Sequence, residues 1–255
     1  MSEHIDIRRV GHVMVVRIAR PEKKNALTVD MYAALSDALA EAEADRDIRA
    51  IALLGNEGVF CAGNDIGDFL ARPPQDENAP VLRYLTALAR GTVPLIAGVD
   101  GDAVGIGTTT LLHCDLVLVT ARARLRLPFV SLGIVPEAGS TLLLPKIMGH
   151  ARAAELIMLA DPFDGARAVE LGIANHVVAP EALESNVMDI AERLAAQPPE
   201  AMREAKRLLK GDIPALEAQI REEIRVFTRQ LTSAEAREAF TAFMEKRKPD
   251  FSKTG

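Results

Sequence analysis

One acidic residue, Glu137, lies in a segment of small and apolar residues, "LGIVPEAGSTLLLPK" at positions 132–146. A carboxyl group in apolar surroundings is harder to ionise, so its pKa rises and it can take up and return protons near neutral pH. The sequence therefore makes Glu137 a candidate general acid–base group. The alternatives are a surface acid, or an acid that favours the start of a helix predicted to follow it.

Two glycine-containing turns offer a second kind of chemistry. The segments "GVFCAGNDI" (58–66) and "GDAVGIGTTTLL" (101–112) each follow a predicted strand. Glycines permit tight turns and close approach of a ligand, so each turn can present a free backbone N–H group to an anion. Two such donors can form an oxyanion hole, which stabilises negative charge developing on a carbonyl oxygen. For either turn alone, an ordinary connection between strand and helix is the alternative.

Other catalytic motifs are absent or incomplete. The second turn carries Thr110 where the dinucleotide-binding fingerprint has its third glycine, and no acid closes the strand that follows. The chain contains no G-x-S-x-G motif, and its five histidines lack the spacing of metal ligands. Cys61 lies among small residues, which is typical of a packed thiol. No metal site is predicted.

The elements that must position these residues alternate along the first part of the chain. Met31, Leu35 and Leu39 recur at helical spacing between the first two of the predicted strands. Repeated strand and helix units predict an α/β fold. The polar, proline-containing segment 71–80 is predicted to be a mobile loop. Runs rich in β-branched residues predict strands at 12–20, 49–55, 93–101 and 115–120.

The last part of the chain is almost wholly helical in pattern. An apolar stripe runs along one predicted helix, and it has to be buried on the core or on a neighbouring subunit; its members are Leu216, Ile220, Ile224 and Leu231. The pattern divides the chain into a catalytic core, residues 1–195, and a C-terminal helical region, residues 196–255.

Composition narrows the class of protein. The 255 residues are 49% hydrophobic with no Trp, two Tyr and eight Phe, which suits an α/β protein with a large core. The net charge of −6 disfavours nonspecific nucleic-acid binding. No secretory signal pattern or membrane-length apolar run is present, so the sequence predicts a cytoplasmic protein with reduced thiols at Cys61 and Cys114.

Five segments together resemble the enoyl-CoA hydratase/isomerase family, also called the crotonase family. They are "RPEKKNALTVDMYAAL", "GVFCAGNDI", "GDAVGIGTTTLLHCDL", "SLGIVPEAGSTLLLPKIMG" and "FTAFMEKRKPDF", in the family's order and spacing. The resemblance covers nearly the whole chain. It implies a spiral of ββα units with a helical C-terminal region that builds trimers, often paired into hexamers.

The resemblance also implies an acyl-CoA thioester substrate, with coenzyme A bound as part of the substrate and no separate cofactor. The backbone N–H groups of Asn64 and Ile106 would hold the thioester oxygen, with Gly105 and Gly107 shaping the second turn. Matching positions place Ala62, Asp65 and Ile66 at the adenine pocket and Lys23, Lys24 and Ala26 along the coenzyme. Phe243 and Lys246 match tail residues that reach coenzyme A, commonly from a neighbouring subunit.

The reaction follows from which acids are present. The two glutamates that activate water in a hydratase of this family correspond to Thr109 and Phe129, neither of which can act as a base. Glu137 corresponds to the single catalytic glutamate of the peroxisomal type of 3,2-enoyl-CoA isomerase, the subfamily this chain resembles most. One carboxylate can shift a double bond by moving a proton between two carbons while the oxyanion hole stabilises the enolate.

Two other interpretations stay open at this stage. The first is a hydratase, or another activity of the family such as dehalogenation or thioester hydrolysis, with Asp68 or Glu57 as substitute acids. The second is a noncatalytic relative that binds coenzyme A or RNA. The intact glycine turns, Glu137 and the acidic net charge speak against the second.

Overall fold

Successive turns of this α/β fold add one strand to a large sheet and one to a small sheet. The computed structural model describes residues 2–74, 76 and 78–254. Its strands are β1 Ile5–Val10, β2 Val13–Ile18, β3 Ala50–Leu54, β4 Val59–Cys61, β5 Leu95–Val99, β6 Asp102–Val104, β7 Leu116–Thr120, β8 Arg124–Arg126, β9 Phe163–Asp164 and β10 His176–Val178.

Helices follow most of these strand pairs and cover the sheets. They are α1 Val29–Ala44, α2 Ile66–Ala71, α3 Pro80–Arg90, α4 Ile106–Thr109, α5 Ser140–Met148, α6 His150–Leu159, α7 Gly165–Glu170, α8 Leu183–Ala195, α9 Pro199–Lys210, α10 Ile213–Leu231 and α11 Ala234–Met244. A 3₁₀ helix, Thr110–His113, continues α4. No helix in the described part of the chain has the length and hydropathy needed to cross a bilayer.

The large sheet has the order β1-β2-β3-β5-β7-β10 and the small sheet β4-β6-β8-β9. All neighbours are parallel except the β1–β2 hairpin and the β8–β9 pair. Strands β3 and β5 are buried throughout because α8 packs on one face of the large sheet and the main core on the other. The predicted spiral of ββα units is confirmed.

The predicted strands of the large sheet are confirmed, whereas the small sheet was not predicted as a sheet of its own. Its strands have two or three residues, too few for alternation of polar and apolar residues to be recognised. The helix predicted after the second glycine turn begins at Ile106, but it has only four α-helical residues before it continues as a 3₁₀ helix. The loop predicted at 71–80 is the connection between α2 and α3, although Ala71 ends α2 and Pro80 begins α3; Gln75 and Glu77 lie outside the described residues. Its mobility stays a prediction.

The apolar stripe of α10 is buried against the chain's own core. Leu216, Ile220 and Leu231 belong to the main hydrophobic cluster, and Ile224 packs against it. On α9, the buried Lys206 donates to the Val93 carbonyl oxygen and pairs with Asp115, both at 2.7 Å. The C-terminal helices are thereby fixed to the α/β core by both apolar and charged contacts.

Candidate active site

The two glycine turns meet at one edge of the small sheet. Strands β4 and β6 are parallel neighbours, so the turns that follow them lie side by side. A Cβ atom on Gly107 would lie 2.5 Å from the Cys61 carbonyl oxygen, and one on Gly63 would lie 3.2 Å from the Val104 carbonyl oxygen. The backbones therefore touch where a side chain would not fit.

Each turn presents one backbone N–H group without an internal acceptor. On either side of Asn64, the Leu27 N–H donates to the Gly63 carbonyl oxygen and the Asp65 N–H donates to the Leu27 carbonyl oxygen. The Asn64 N–H takes part in neither hydrogen bond. Ile106 is the first residue of α4, where an N–H group has no acceptor in its own helix. Among the described residues, no group accepts from either N–H. Two free donors from adjacent turns are the requirement for an oxyanion hole.

Both turns line an apolar cavity of about 310 Å³. Its walls include residues of the two turns, of the segment around Phe129, and of α10 and α11. No carboxylate is among these lining residues. The large apolar side chains of the lining are Ile66, Phe69, Leu70, Ile106, Phe129, Leu132, Ile134, Phe227, Leu231, Phe240 and Phe243.

Glu137 is not a lining residue of this cavity; it is buried, with 5% of its surface exposed. Its Oε1 atom accepts a hydrogen bond of 2.6 Å from the hydroxyl of Thr109, one helical turn after Ile106. Burial raises the pKa of the Glu137 carboxyl to about 8; the Thr109 hydrogen bond opposes this rise and the nearby Glu223 adds to it. The carboxyl is thus suited to gain and lose a proton near neutral pH.

The Glu137 side chain forms no capping hydrogen bond with the helix that follows it. Helix α5 has Gly139 at its N-cap with no side-chain cap of its own. Its first N–H groups are satisfied by Glu223, which accepts from Gly139 N and Thr141 N at 2.6 and 2.9 Å. The Glu137 side chain instead bonds to Thr109.

A set of buried polar residues around Glu137 was not predicted. The Tyr32 hydroxyl donates to Asn64 Oδ1 at 2.5 Å, and its ring centroid lies 5.7 Å from that of Tyr84. Burial, followed by the charge of Glu137, raises the pKa of Tyr32. His113 Nε2 lies 2.8 Å from the Ala138 carbonyl oxygen. These side chains come from α1, α3 and a 3₁₀ helix, and no local sequence pattern links them to Glu137.

The cavity contains only part of the predicted site. Its lining includes Asn64, Ile106, Ala62, Ile66, Gly105 and Phe243. It does not include Glu137, Lys23, Lys24, Ala26, Asp65 or Lys246. Catalytic contacts often form only in the substrate complex, so the buried position of Glu137 is compatible with a catalytic role.

The segment of Lys23, Lys24 and Ala26 runs beside the first turn. The Ala62 N–H donates to the Lys24 carbonyl oxygen at 3.0 Å. The Lys24 side chain is 72% exposed, with its Nζ atom 3.6 Å from Asp102. Asp65 accepts from Arg20 at 2.8 Å and caps α2, so its carboxylate has structural partners already.

The two substitute acids lie away from the cavity lining. Asp68 accepts from the Val29 N–H at 2.7 Å and pairs with Arg72. Glu57 is exposed and pairs with Arg122 at 3.2 Å. Both carboxylates form ion pairs with arginines, whereas Glu137 accepts a hydrogen bond from Thr109 of the second turn.

The chain is similar to known proteins over nearly its whole length. The model of the family described as "Enoyl-CoA hydratase/isomerase" matches residues 8–254. The chain is 33% identical to the 1,2-epoxyphenylacetyl-CoA isomerase of Escherichia coli K12 over 94% of this chain and 95% of the relative. It is 30% identical to the 2,3-dehydroadipyl-CoA hydratase of the same organism, over 98% and 99%.

A solved structure of Pseudomonas aeruginosa OdaA superimposes with a TM-score of 0.92 at 46% identity, covering 95% of this chain and 99% of the other. The names of the relatives include both hydratases and isomerases, so the comparisons define the family and not the reaction. The match of the family model over nearly the whole chain, joined to the paired glycine turns and the buried glutamate, shows that this protein belongs to the enoyl-CoA hydratase/isomerase family.

Proposed function

We propose that this protein is a Δ3,Δ2-enoyl-CoA isomerase in which Glu137 carries the proton. The observation that supports this is the single buried carboxyl joined to the helix of the second glycine turn, with a pKa raised to about 8. Thr109 and Phe129 stand where the hydratases that this chain resembles have their two acids. Thr109 donates a hydrogen bond to Glu137, and Phe129 is a buried apolar wall residue.

The reaction needs one base, one acid and a site for negative charge. Ionised Glu137 removes a proton from C2 of a 3-enoyl-CoA, and the electrons move through the thioester carbonyl to give an enolate. The N–H groups of Asn64 and Ile106 stabilise the enolate oxygen. Protonated Glu137 then delivers the proton to C4, which leaves the double bond between C2 and C3 and regenerates the carboxylate.

The substrate class rests on the cavity and its surroundings. The apolar side chains of the lining suit the acyl part, and exclusion of water keeps the pKa of Glu137 high. For the coenzyme A part, we assign Ala62 and Ile66 to the adenine and the exposed Lys23, Lys24 and Lys246 to the phosphates. Phe243 is 64% exposed and lines the cavity, which supports its assignment to the coenzyme.

The test compares two substrates and two variants. We expect the purified protein to convert a 3-enoyl-CoA to the 2-enoyl isomer much faster than it hydrates a 2-enoyl-CoA. Glu137→Gln removes the proton carrier and keeps the side-chain shape, so we expect isomerisation to fall by at least about 10²-fold. Glu57→Gln, which alters a carboxylate on the exposed surface, serves as the control and should leave the rate unchanged.

Rapid hydration of a 2-enoyl-CoA that survives Glu137→Gln would contradict the proposal and favour a hydratase with other acids. Loss of isomerisation in Glu57→Gln would point to that surface carboxylate instead. Circular dichroism and gel filtration of Glu137→Gln check that its loss of activity is not a loss of folding.

A further inference from the structure

The turn that carries Glu137 is attached to the C-terminal region through one carboxylate. Glu223 on α10 is buried, with 4% of its surface exposed. Its Oε2 atom accepts from Gly139 N at 2.6 Å, and its Oε1 atom accepts from Thr141 N at 2.9 Å and Thr141 Oγ1 at 2.5 Å. Gln219, one turn earlier on α10, donates to Thr141 Oγ1 at 2.8 Å. These contacts join sequence positions 78 to 84 residues apart.

The turn needs such anchoring because its backbone is strained. Ala138, next to Glu137, has a backbone φ angle of +64°, a value that residues other than glycine rarely adopt. On one side its carbonyl oxygen lies 2.8 Å from His113 Nε2. On the other side Glu223 binds Gly139, which also has positive φ. The two contacts hold the backbone directly after Glu137 from opposite sides.

Glu223 also differs in charge from the other groups that face Glu137. Burial keeps the phenols of Tyr32 and Tyr84 neutral by raising their pKa values, and it raises the pKa of the Cys61 thiol to about 12. Burial lowers the pKa of His113 to about 4, so this ring is neutral as well at neutral pH. Among the described residues that interact with the Glu137 carboxyl, Glu223 is therefore the one that contributes a charge.

The hydrogen bonds to Glu223 favour its ionised form. Burial raises the pKa of Glu223, while its hydrogen bonds from Thr141 and Gly139 oppose that rise. Glu137 receives one hydrogen bond, from Thr109. Glu223 accepts three hydrogen bonds and Glu137 accepts one, so when these two buried carboxyls share one negative charge the geometry favours that charge on Glu223.

We propose that Glu223 is the positioning residue for Glu137, fixing the strained turn 138–141 through its hydrogen bonds and biasing Glu137 toward the protonated state through its charge. This inference rests on the proposed function of Glu137. It gives the C-terminal region a part in the reaction, because α10 supplies both a wall of the cavity and the anchor of the acid–base group.

The experiment separates the effect of the negative charge of Glu223 from the effect of the length of its side chain. Glu223→Gln keeps the size and removes the charge, whereas Glu223→Asp keeps the charge and shortens the side chain. We measure kcat for a 3-enoyl-CoA against pH in both variants. Glu222→Gln is the matched control, because Glu222 is the neighbouring residue on α10 and pairs at the exposed surface with Arg225 at 2.7 Å.

For Glu223→Gln we expect kcat to fall by about 10-fold to 100-fold, as expected for a misplaced catalytic group. We also expect the acidic limb of the pH profile to move to lower pH by about one unit, because a negative charge facing Glu137 is lost. Glu223→Asp should lower kcat and leave the limb near its original pH. Glu222→Gln should change neither.

A second readout does not depend on turnover. Difference infrared spectroscopy of the carboxyl stretching band, assigned by its absence in Glu137→Gln, follows the titration of Glu137 without substrate. The Glu137 titration should move to lower pH in Glu223→Gln and stay in place in Glu223→Asp and Glu222→Gln.

A lower kcat in Glu223→Gln with an unmoved titration would mean a structural role only and would overturn the proposal; so would unchanged kinetics. If Glu223→Gln does not fold, Glu223→Asp provides the test. An unchanged kcat in Glu223→Asp would contradict the proposal that the full length of the Glu223 side chain is needed to position Glu137. If the wild-type protein shows no isomerisation, the proposed function fails, while the infrared titration still tests the coupling of Glu223 to Glu137.

Discussion

At the scale of single residues, burial and one hydrogen bond act in opposite directions on the pKa of Glu137. Burial disfavours the carboxylate, and the hydroxyl of Thr109, 2.6 Å away, favours it. Thr109 thus donates to the carboxyl that we propose as the proton carrier, and its hydrogen bond favours the ionised form of that carboxyl.

This balance predicts the pH dependence of the reaction. Because the pKa of Glu137 is raised to about 8 and the base must be ionised, kcat/KM for a 3-enoyl-CoA should rise as the pH increases through about 8 and then level off. Thr109→Val removes a bond to the ionised form, so its profile should move to higher pH. Thr109→Ser keeps the hydroxyl and should resemble the wild type. Overlapping profiles for Thr109→Val and the wild type would show that the threonine does not tune the acid.

Glu137 could be predicted from the sequence, whereas its partners could not. An acid within an apolar run is a local signal, and its burial is confirmed. Thr109, Tyr32 and Glu223 reach the same place from three other elements, and their side chains carry no period or motif that points to Glu137. Tertiary packing alone decides such contacts.

At the scale of elements, the site depends on two strands of three residues each. Strands β4 and β6 are short, and their parallel pairing brings the two glycine turns into backbone contact. The sequence indicated both turns through their glycines. Their contact was not predictable from residue patterns because pairing between distant strands leaves no local signal.

Gly107 provides the test of this close approach. A Cβ atom there would lie 2.5 Å from the Cys61 carbonyl oxygen and 3.0 Å from the Cys61 side chain. Gly107→Ala should force the turns apart and displace the Ile106 N–H, with a loss in kcat of about 10²–10³-fold, as found when one oxyanion donor is removed. Gly67→Ala is the control, because its nearest atom would be 3.5 Å away, an ordinary contact. Equal kinetics for the two variants would contradict the oxyanion-hole assignment.

At the scale of the whole molecule, the C-terminal helices close the cavity of their own chain. Phe227, Leu231 and Phe240 line it, although a role in assembly was the main expectation for this region. Assembly into trimers or hexamers stays a prediction. Exposed apolar side chains on α6 and α9 are available for such contacts, namely Met158, Leu159, Leu208 and Leu209.

The raised pKa of Glu137 also affects the stability of the whole fold. In the unfolded chain this carboxyl ionises near its ordinary pKa of 4.5, whereas in the folded protein it ionises near 8. Between these values the folded state binds the proton and the unfolded state does not, so the free energy of unfolding falls as the pH rises. Below about pH 4.5 both states are protonated and Glu137 contributes no penalty.

Glu137→Gln removes this titration and should stabilise the protein increasingly as the pH rises from about 5 to about 8. For a chain of this size each 1 kcal/mol shifts Tm by about 2–4 °C, so we expect the variant's Tm to exceed that of the wild type by several degrees at about pH 8. Calorimetry of both proteins across this range measures the difference. Titrating groups that do not interact with Glu137 are shared by the two proteins and cancel in the difference. A Tm difference independent of pH would show that the fold does not hold Glu137 in its protonated form. The raised pKa, on which its proposed role as the proton carrier depends, would then lose its physical basis.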